Sequence, residues 1–222
     1  FLAKTSGQSK VVNFNTKGSA VTSFTYGGGS GYTNGAYGAD AAYLGMTDDG
    51  KVRFMLSGVT GTVNASEVQV VEYAAVSDHV SYYAVSGGKL IHYISQDLNK
   101  LPVSFINNGT APSYLNEGVK YYSYDGHYFY TDYAVMLSDY QNNTNGQNAV
   151  NAGNAFYNFF QFKNMREATK YSGEELNVML QSAMSAAGVD TASSKLSGTG
   201  LSFVKYQNVY SVNALLSMGI AI

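Results

Sequence analysis

Up to about residue 150 the apolar residues alternate with polar ones in short runs broken by glycine, whereas from residue 154 onward they recur every three to four positions. A repeat of two belongs to strands and a repeat near 3.6 to helices. The chain is therefore predicted to be α+β, with strands and loops over 1–150 and helices over 154–222.

In the first part, residues 10–14 and 20–26 read as strands, and the glycine-rich segment 27–38 reads as a loop with little to pack. The turn signal Asp48-Asp49-Gly50 leads into residues 51–56, where Val52, Phe54 and Leu56 are predicted to point inward and Lys51, Arg53 and Met55 outward. Residues 59–63 and 68–71 continue the meander. Two further hairpins are expected, 80–85 with 89–94 around Ser86-Gly87-Gly88, and 120–124 with 127–131 around Asp125-Gly126. Asp-Gly between aromatic runs favours a type I′ turn, in which both central residues take positive φ. Residues 95–118 hold Pro102, Pro112 and Asn107-Asn108-Gly109, and read as a connector.

In the second part a helix with an aromatic face is predicted from near Asn154 through Phe156 to Arg166. Ser172 and Glu175 have the spacing of a capping box, Leu176, Met179, Leu180, Ala183 and Ala187 share one stripe, and Gly188 supplies the stop. A further helix over 200–210 packs Phe203, Val204 and Tyr206. From Val212, Leu215, Leu216, Gly219 and Ile220 recur at helical spacing while Ala214, Met218, Ala221 and Ile222 fill the other faces, so a helix buried all round is expected there.

Composition narrows the function classes. Charged residues make up 13% of the 222-residue chain, against roughly 25% in ordinary globular chains, so neutral polar groups and tyrosine must form much of the surface. The net charge of −2 argues against nucleic acid, which needs clustered Lys and Arg. Without cysteine there is no disulfide, thiol nucleophile or zinc–thiolate site. His79, His92 and His127 lack metal-site spacing, Gly27, Gly29, Gly31 and Gly35 miss the dinucleotide-loop pattern, and no serine sits in a G-x-S-x-G elbow. No metal or cofactor is expected, and no apolar run reaches the roughly 18 residues of a membrane span.

Several strings bear a resemblance that is more specific. The run Lys195-Leu196-Ser197-Gly198-Thr199-Gly200, then Phe203, then Tyr210-Ser211-Val212-Asn213-Ala214-Leu215-Leu216-Ser217 resembles the opening of the glucosaminidase domain of glycoside hydrolase family 73, the peptidoglycan-cutting autolysins. Residues 121–130, residues 157–166 with Phe160-Gln161-Phe162, and Tyr32-Thr33-Asn34-Gly35-Ala36-Tyr37-Gly38 are similar to segments of large Gram-positive members, and the stretch around Gly58-Val59-Thr60-Gly61-Thr62-Val63-Asn64 resembles bacterial SH3-type barrels, with Thr62 in place of a tryptophan. One departure is Ser211, where the family usually has glycine.

The resemblance implies a small SH3-like β-domain over 1–76, a β-hairpin and connector over 77–118, and the opening of a lysozyme-like glucosaminidase domain over 119–222. It implies a secreted bacterial wall enzyme whose substrate is the glycan strand of peptidoglycan, whose catalytic Glu comes just after Ile222, and whose expected partner is the remaining C-terminal part of its own catalytic domain. This chain would then be inactive alone. The alternative is a non-catalytic wall-binding or structural module.

Among the residues present, Gln161, Phe162, Arg166 and Tyr210 are the expected glycan contacts. Gln161 and Arg166 are polar groups in an aromatic run, which either line a cleft or satisfy backbone carbonyls; Phe160 and Phe162 suit a core equally well. Glu174 and Glu175 are explained by the first turn of a helix, Asp125, Asp132 and Asp139 by turns and loops, and Asn213 by helix capping. No two carboxylates have a spacing that suggests an acid–base pair.

Overall fold

Val11 and Val12 are adjacent in sequence and both fully buried, which requires a strand covered on both faces. The computed structural model describes residues 9–18, 20–157 and 166–222, and the chain divides into two compact units between Asn158 and Phe159. In the first unit β1 (Lys10–Asn13), β2 (Thr22–Tyr26), β3 (Gly29–Thr33), β4 (Asp40–Met46), β5 (Lys51–Leu56), β6 (Val59–Asn64) and β7 (Gln69–Glu72) form an antiparallel sheet in the order β3-β2-β6-β5-β4-β1-β7. The architecture is α+β.

One face of this sheet gathers Val12, Phe14, Ala41, Val52, Phe54, Val63 and Val68. Phe54 sits at its centre, edge-on to Phe14 and to Phe24 with ring centroids 5.0 Å away in each case. The rings explain two strand glycines. A Cβ on Gly31 or on Gly61 would come within 2.7 Å of the Phe24 or Phe54 ring, so the glycines are the floor on which the aromatics lie. The expected loop over 27–38 is corrected accordingly: residues 29–33 are strand β3, paired along their length with β2. The opposite face packs Val11, Ala42, Leu44 and Met55 against Tyr122, Tyr124, Tyr130, Tyr133, Met136, Leu137 and Tyr140. Met55, expected outward, is buried because this sheet has a core on each side.

A short helix α1 (Tyr73–Val76) leads to a second antiparallel sheet, β8 (Tyr82–Ser86), β9 (Lys89–Ile94) and β10 (Ser104–Thr110), in the order β10-β9-β8. Gly87 and Gly88 both have positive φ, 57° and 72°, as a two-residue primed turn demands. The expected connector over 95–118 therefore contains a third strand. The Asp125-Gly126 hairpin is also corrected. Only Gly126 has positive φ; the turn is held instead by the Asp125 side chain, whose Oδ1 accepts from Ser123 Oγ and from the N–H groups of His127 and Tyr128, and the two arms share one isolated bridge, Tyr122 with Tyr130.

Residues 133–141, read from sequence as strand or loop, form helix α2 (Tyr133–Gln141). Asp132 caps it by accepting from the N–H groups of Ala134 and Val135, and Tyr133, Met136, Leu137 and Tyr140 fall on its buried side at helical spacing. Residues 119–157 thus pack within the β-rich first unit.

The second unit is helical. α3 (Gly173–Ala186), α4 (Gly200–Tyr210) and α5 (Ala214–Ala221) enclose Leu176, Leu180, Met184, Ala214 and Met218, with Phe203, Val204 and Leu215 partly buried around them. Burying a side chain such as Leu176 or Leu180 contributes about 1.5–3 kcal/mol. α5 differs from expectation: Ala214 and Met218 face this core, but Ile220 is 76% exposed. Tyr206 is likewise exposed rather than packed. Residues 154–157 are irregular and Arg166 lies in a turn, while residues 158–165 of the expected helix lie outside the described residues. Among the described residues no helix is long and apolar enough to cross a membrane.

Candidate functional site

The helical unit holds the 195–217 run that opened the family resemblance, and its geometry explains the residue types there. Ser172 Oγ accepts from the Glu175 N–H while the Glu175 carboxylate accepts from the Ser172 N–H, closing a reciprocal cap at the start of α3. α4 begins directly on α3: a Cβ on Gly200 would lie 2.1 Å from the Gly173 carbonyl oxygen, and one on Gly173 would lie 2.7 Å from the Leu201 side chain. The Gly200 N–H donates to Asn177 Oδ1 at 2.7 Å, and Gly198 turns the chain into the helix with φ of 75°. Any side chain at Gly173 or Gly200 would push the two helices apart.

The passage from α4 to α5 is fixed by polar groups. Gln207 is buried, and its Oε1 accepts from the N–H of Thr169 at 2.7 Å and of Ala214 at 2.9 Å while Nε2 donates back to the Thr169 carbonyl. Asn213 caps α5 by accepting from the Leu216 N–H, and its Nδ2 donates to the Glu167 carbonyl at 2.8 Å. Ser211 between them is in the left-handed region, φ 51° and ψ 50°. That is the conformation glycine favours and other residues rarely adopt.

Of the four expected contact residues, Tyr210 is 66% exposed at the end of α4, where its ring stacks on Tyr206 one turn earlier, centroids 5.8 Å apart. Arg166 is also exposed. Gln161 and Phe162, with Phe160, lie outside the described residues. Four carboxylates are committed to structure: Glu175 to its cap, Asp132 to the cap of α2, Asp139 to Tyr130 and Asn148, and Asp125 to its turn. Asp190 accepts from the Ala192 N–H, which holds its pKa below the ordinary value. Asp40 has the raised pKa that a general acid needs, driven by burial, but it is sealed beneath Ser81 and Tyr124 and cannot reach a glycosidic oxygen. No three of His, Asp and Glu converge among the described residues.

The β-rich unit shows two exposed aromatic arrangements. On the three-stranded sheet, Lys120 Nζ sits 4.9 Å from the Tyr82 ring centre, Tyr82 stacks on Tyr93 at 4.8 Å, and Tyr93 leans on Phe105 at 6.2 Å. The flat faces of these tyrosines are spent on each other. On the other side of that sheet Tyr83 stacks on His92 at 4.1 Å, and burial pulls the His92 pKa down to about 4, so this histidine is neutral at physiological pH. The second arrangement is Tyr32 with Tyr37, both open to solvent. The sequence places these two in a string of interest but gives no sign that they meet.

No family model matches the chain. Two curated proteins from two strains of Streptococcus pneumoniae, each named "Putative endo-beta-N-acetylglucosaminidase", are 27% identical to it over 169 residues, which is 76% of this chain and 20% and 19% of theirs. The chain thus spans about a fifth of the length of these relatives. The similarity is a relationship to proteins named as glycosidases.

Proposed function

We propose that this chain is part of a secreted endo-β-N-acetylglucosaminidase of glycoside hydrolase family 73, which hydrolyses the glycan strands of peptidoglycan at the bacterial cell wall. The observation that carries the reading is the similarity to the pneumococcal proteins over three quarters of the chain. The helical unit supports it: the glycines at 198 and 200, the left-handed residue at 211 and the cap at 213 are positions that the family resemblance singles out, and each has a geometric purpose here.

In this reading residues 1–76 are an SH3-like β-domain, 77–118 a hairpin and connector, and the helical unit is the opening of a lysozyme-like lobe. Glycoside cleavage through an oxocarbenium-like transition state requires a carboxylic acid to protonate the leaving oxygen. In this reading that acid is supplied by the remainder of the parent enzyme's catalytic domain. Gln207 and Asn213 fix the start of α5, so their part is structural. Arg166 and Tyr210, together with Gln161 and Phe162, contact the glycan.

The test is a side-by-side assay of muropeptide release from purified peptidoglycan, using this chain and a version extended C-terminally through the parent's catalytic domain. Turnover by the extended protein alone supports the reading. Equal turnover by both places the acid within these residues and contradicts it. The second reading, a non-catalytic wall-binding module, is favoured by the structural engagement of Asp125, Asp132, Asp139 and Glu175; it predicts retention of the chain on insoluble wall and no turnover by either protein.

A further inference from the structure

Between Lys17 and Asp40 the sequence has no charged side chain, yet of the three tyrosines in this stretch two, Tyr32 and Tyr37, are more than half exposed to water. Tyr32 at the end of β3 is 61% exposed and Tyr37 in the following loop 62%; their rings meet edge to face, centroids 6.0 Å apart and planes at 61°. The loop that carries Tyr37 is fixed. The Asn34 carbonyl accepts from the N–H groups of Tyr37 and Gly38, Asn34 Oδ1 accepts from Ala36, and Thr33 Oγ1 donates to the Gly38 carbonyl. Asn15 Nδ2 donates to the Gln96 carbonyl and Gln96 Nε2 to the Ala36 carbonyl, and a Cβ on Gly35 would lie 2.8 Å from Asn15 and from the Gln96 oxygen. The backbone that carries both rings is therefore held in place before any ligand arrives, and binding has to order little beyond the two side chains.

The strand face beside them is a row of hydroxyls. Tyr32 stands opposite Ser23, Ser30 opposite Thr25, and Thr25 opposite Thr62, so all five share one side of the sheet. Ser23, Thr25 and Ser30 are exposed, and the Thr25 and Thr62 hydroxyls are 3.0 Å apart. The nearest cation along this row is Arg53, opposite Thr62 at its far end. Fixed rings surrounded by neutral donors and acceptors complement a ligand that has apolar C–H faces and uncharged hydroxyl and amide groups. They do not complement phosphate or an acidic peptide, which would need cations.

We propose that Tyr32 and Tyr37, with Ser23, Thr25 and Ser30, form a binding subsite for a neutral N-acetylated glycan chain. A pyranose ring lies against the tyrosine pair and its hydroxyl and acetamido groups reach the strand hydroxyls. This subsite deepens the assignment of the chain to a peptidoglycan hydrolase and rests on it for the identity of the sugar.

The experiment is a titration of the full chain with the β-1,4-linked N-acetylglucosamine tetrasaccharide, followed by backbone amide NMR, and repeated with Tyr32→Ala, Tyr37→Ala, Tyr37→Phe and Phe105→Ala. Saturable shifts at the amides of residues 23–25, 30–38 and 62 are expected, with their own affinity whether or not residues near Arg166 and Tyr210 also respond. Affinity should fall roughly three- to tenfold in each tyrosine-to-alanine variant, and hold in Tyr37→Phe, which keeps the ring, and in Phe105→Ala, an exposed aromatic elsewhere. Unchanged amide spectra away from the loop show that the variants fold. Absence of saturable shifts at residues 23–25, 30–38 and 62, or a response there only to soluble stem peptide, overturns the subsite. Hydrolysis by the extended parent, with the tetrasaccharide failing to bind at Tyr32 and Tyr37, removes the subsite and leaves the enzyme assignment intact. Binding there, with no hydrolysis by the parent, keeps the subsite and removes the assignment.

Discussion

The Tyr124 hydroxyl donates to the Asp40 carboxylate at 2.5 Å, joining residues 84 positions apart and tying the tyrosine-rich segment to the seven-stranded sheet. Asp40 also accepts from the Ser81 N–H and Oγ, so one buried carboxyl links three parts of the first unit. Burial outweighs these hydrogen bonds and raises its pKa above the ordinary 3.8. A carboxyl whose folded pKa is raised stabilises the fold fully below the unfolded pKa, and that contribution is lost as pH rises through the folded value. The stability gap between wild type and Asp40→Asn should therefore narrow as pH increases from about 4. Surface carboxylates with lowered pKa, such as Asp49 and Asp97, have the opposite slope but are common to both proteins and cancel. Urea denaturation of both at several pH values checks this; a gap that widens with pH contradicts it.

Ser211 spends conformational energy that glycine would not, since left-handed backbone costs most residues about 1–2 kcal/mol. Ser211→Gly should stabilise the helical unit by about 1 kcal/mol, the gain being trimmed by the greater freedom of glycine in the unfolded chain. Hydrogen exchange of the α4 and α5 amides reads it directly, with slower exchange expected.

Gln207→Ala leaves the N–H groups of Thr169 and Ala214 without their acceptor in a buried site. Each unsatisfied buried group costs about 1–3 kcal/mol, so this substitution should destabilise the helical unit more than Asn213→Ala, which removes a cap worth about 1 kcal/mol. Thermal melts of the two variants, ranked against wild type, test the order.

Thr22 is fully buried and its hydroxyl has no hydrogen-bond partner among the described residues. Thr22→Val keeps the shape and removes the orphan group, and should raise stability by about 1 kcal/mol in the same melts. A loss of stability would mean that the hydroxyl is satisfied in solution.

The elements that sequence revealed well are those whose local chemistry agrees with their packing. The Ser172–Glu175 box, the Gly188 stop and the Val52/Phe54 alternation are local signals that long-range contacts leave intact. The misses have a common cause in tertiary partners. Gly31 reads as loop, and Gly61 stands unexplained in its expected strand, until Phe24 and Phe54 are seen lying on them. Met55 read as exposed because the second core, built from tyrosines far along the chain, is invisible from its own strand. α2 was concealed by its aromatics, which favour strands by propensity, although Asp132 and the spacing of Tyr133, Met136, Leu137 and Tyr140 were available as signals. At the candidate site the sequence singled out Tyr210 as a contact, and the cap at Asn213 was legible; the pairing of Tyr32 with Tyr37 was not, since it depends on the hydrogen bonds that fold the loop back.

The identity of the sugar left at the new reducing end is the most direct test of the glycosidase assignment. Peptidoglycan is digested with the C-terminally extended parent protein, reduced with borohydride, and the reduced sugar is identified by mass spectrometry. An endo-β-N-acetylglucosaminidase leaves reduced N-acetylglucosamine, which is the expected result. Reduced N-acetylmuramic acid, or cleavage only at amide bonds of the stem peptide, would contradict the assignment.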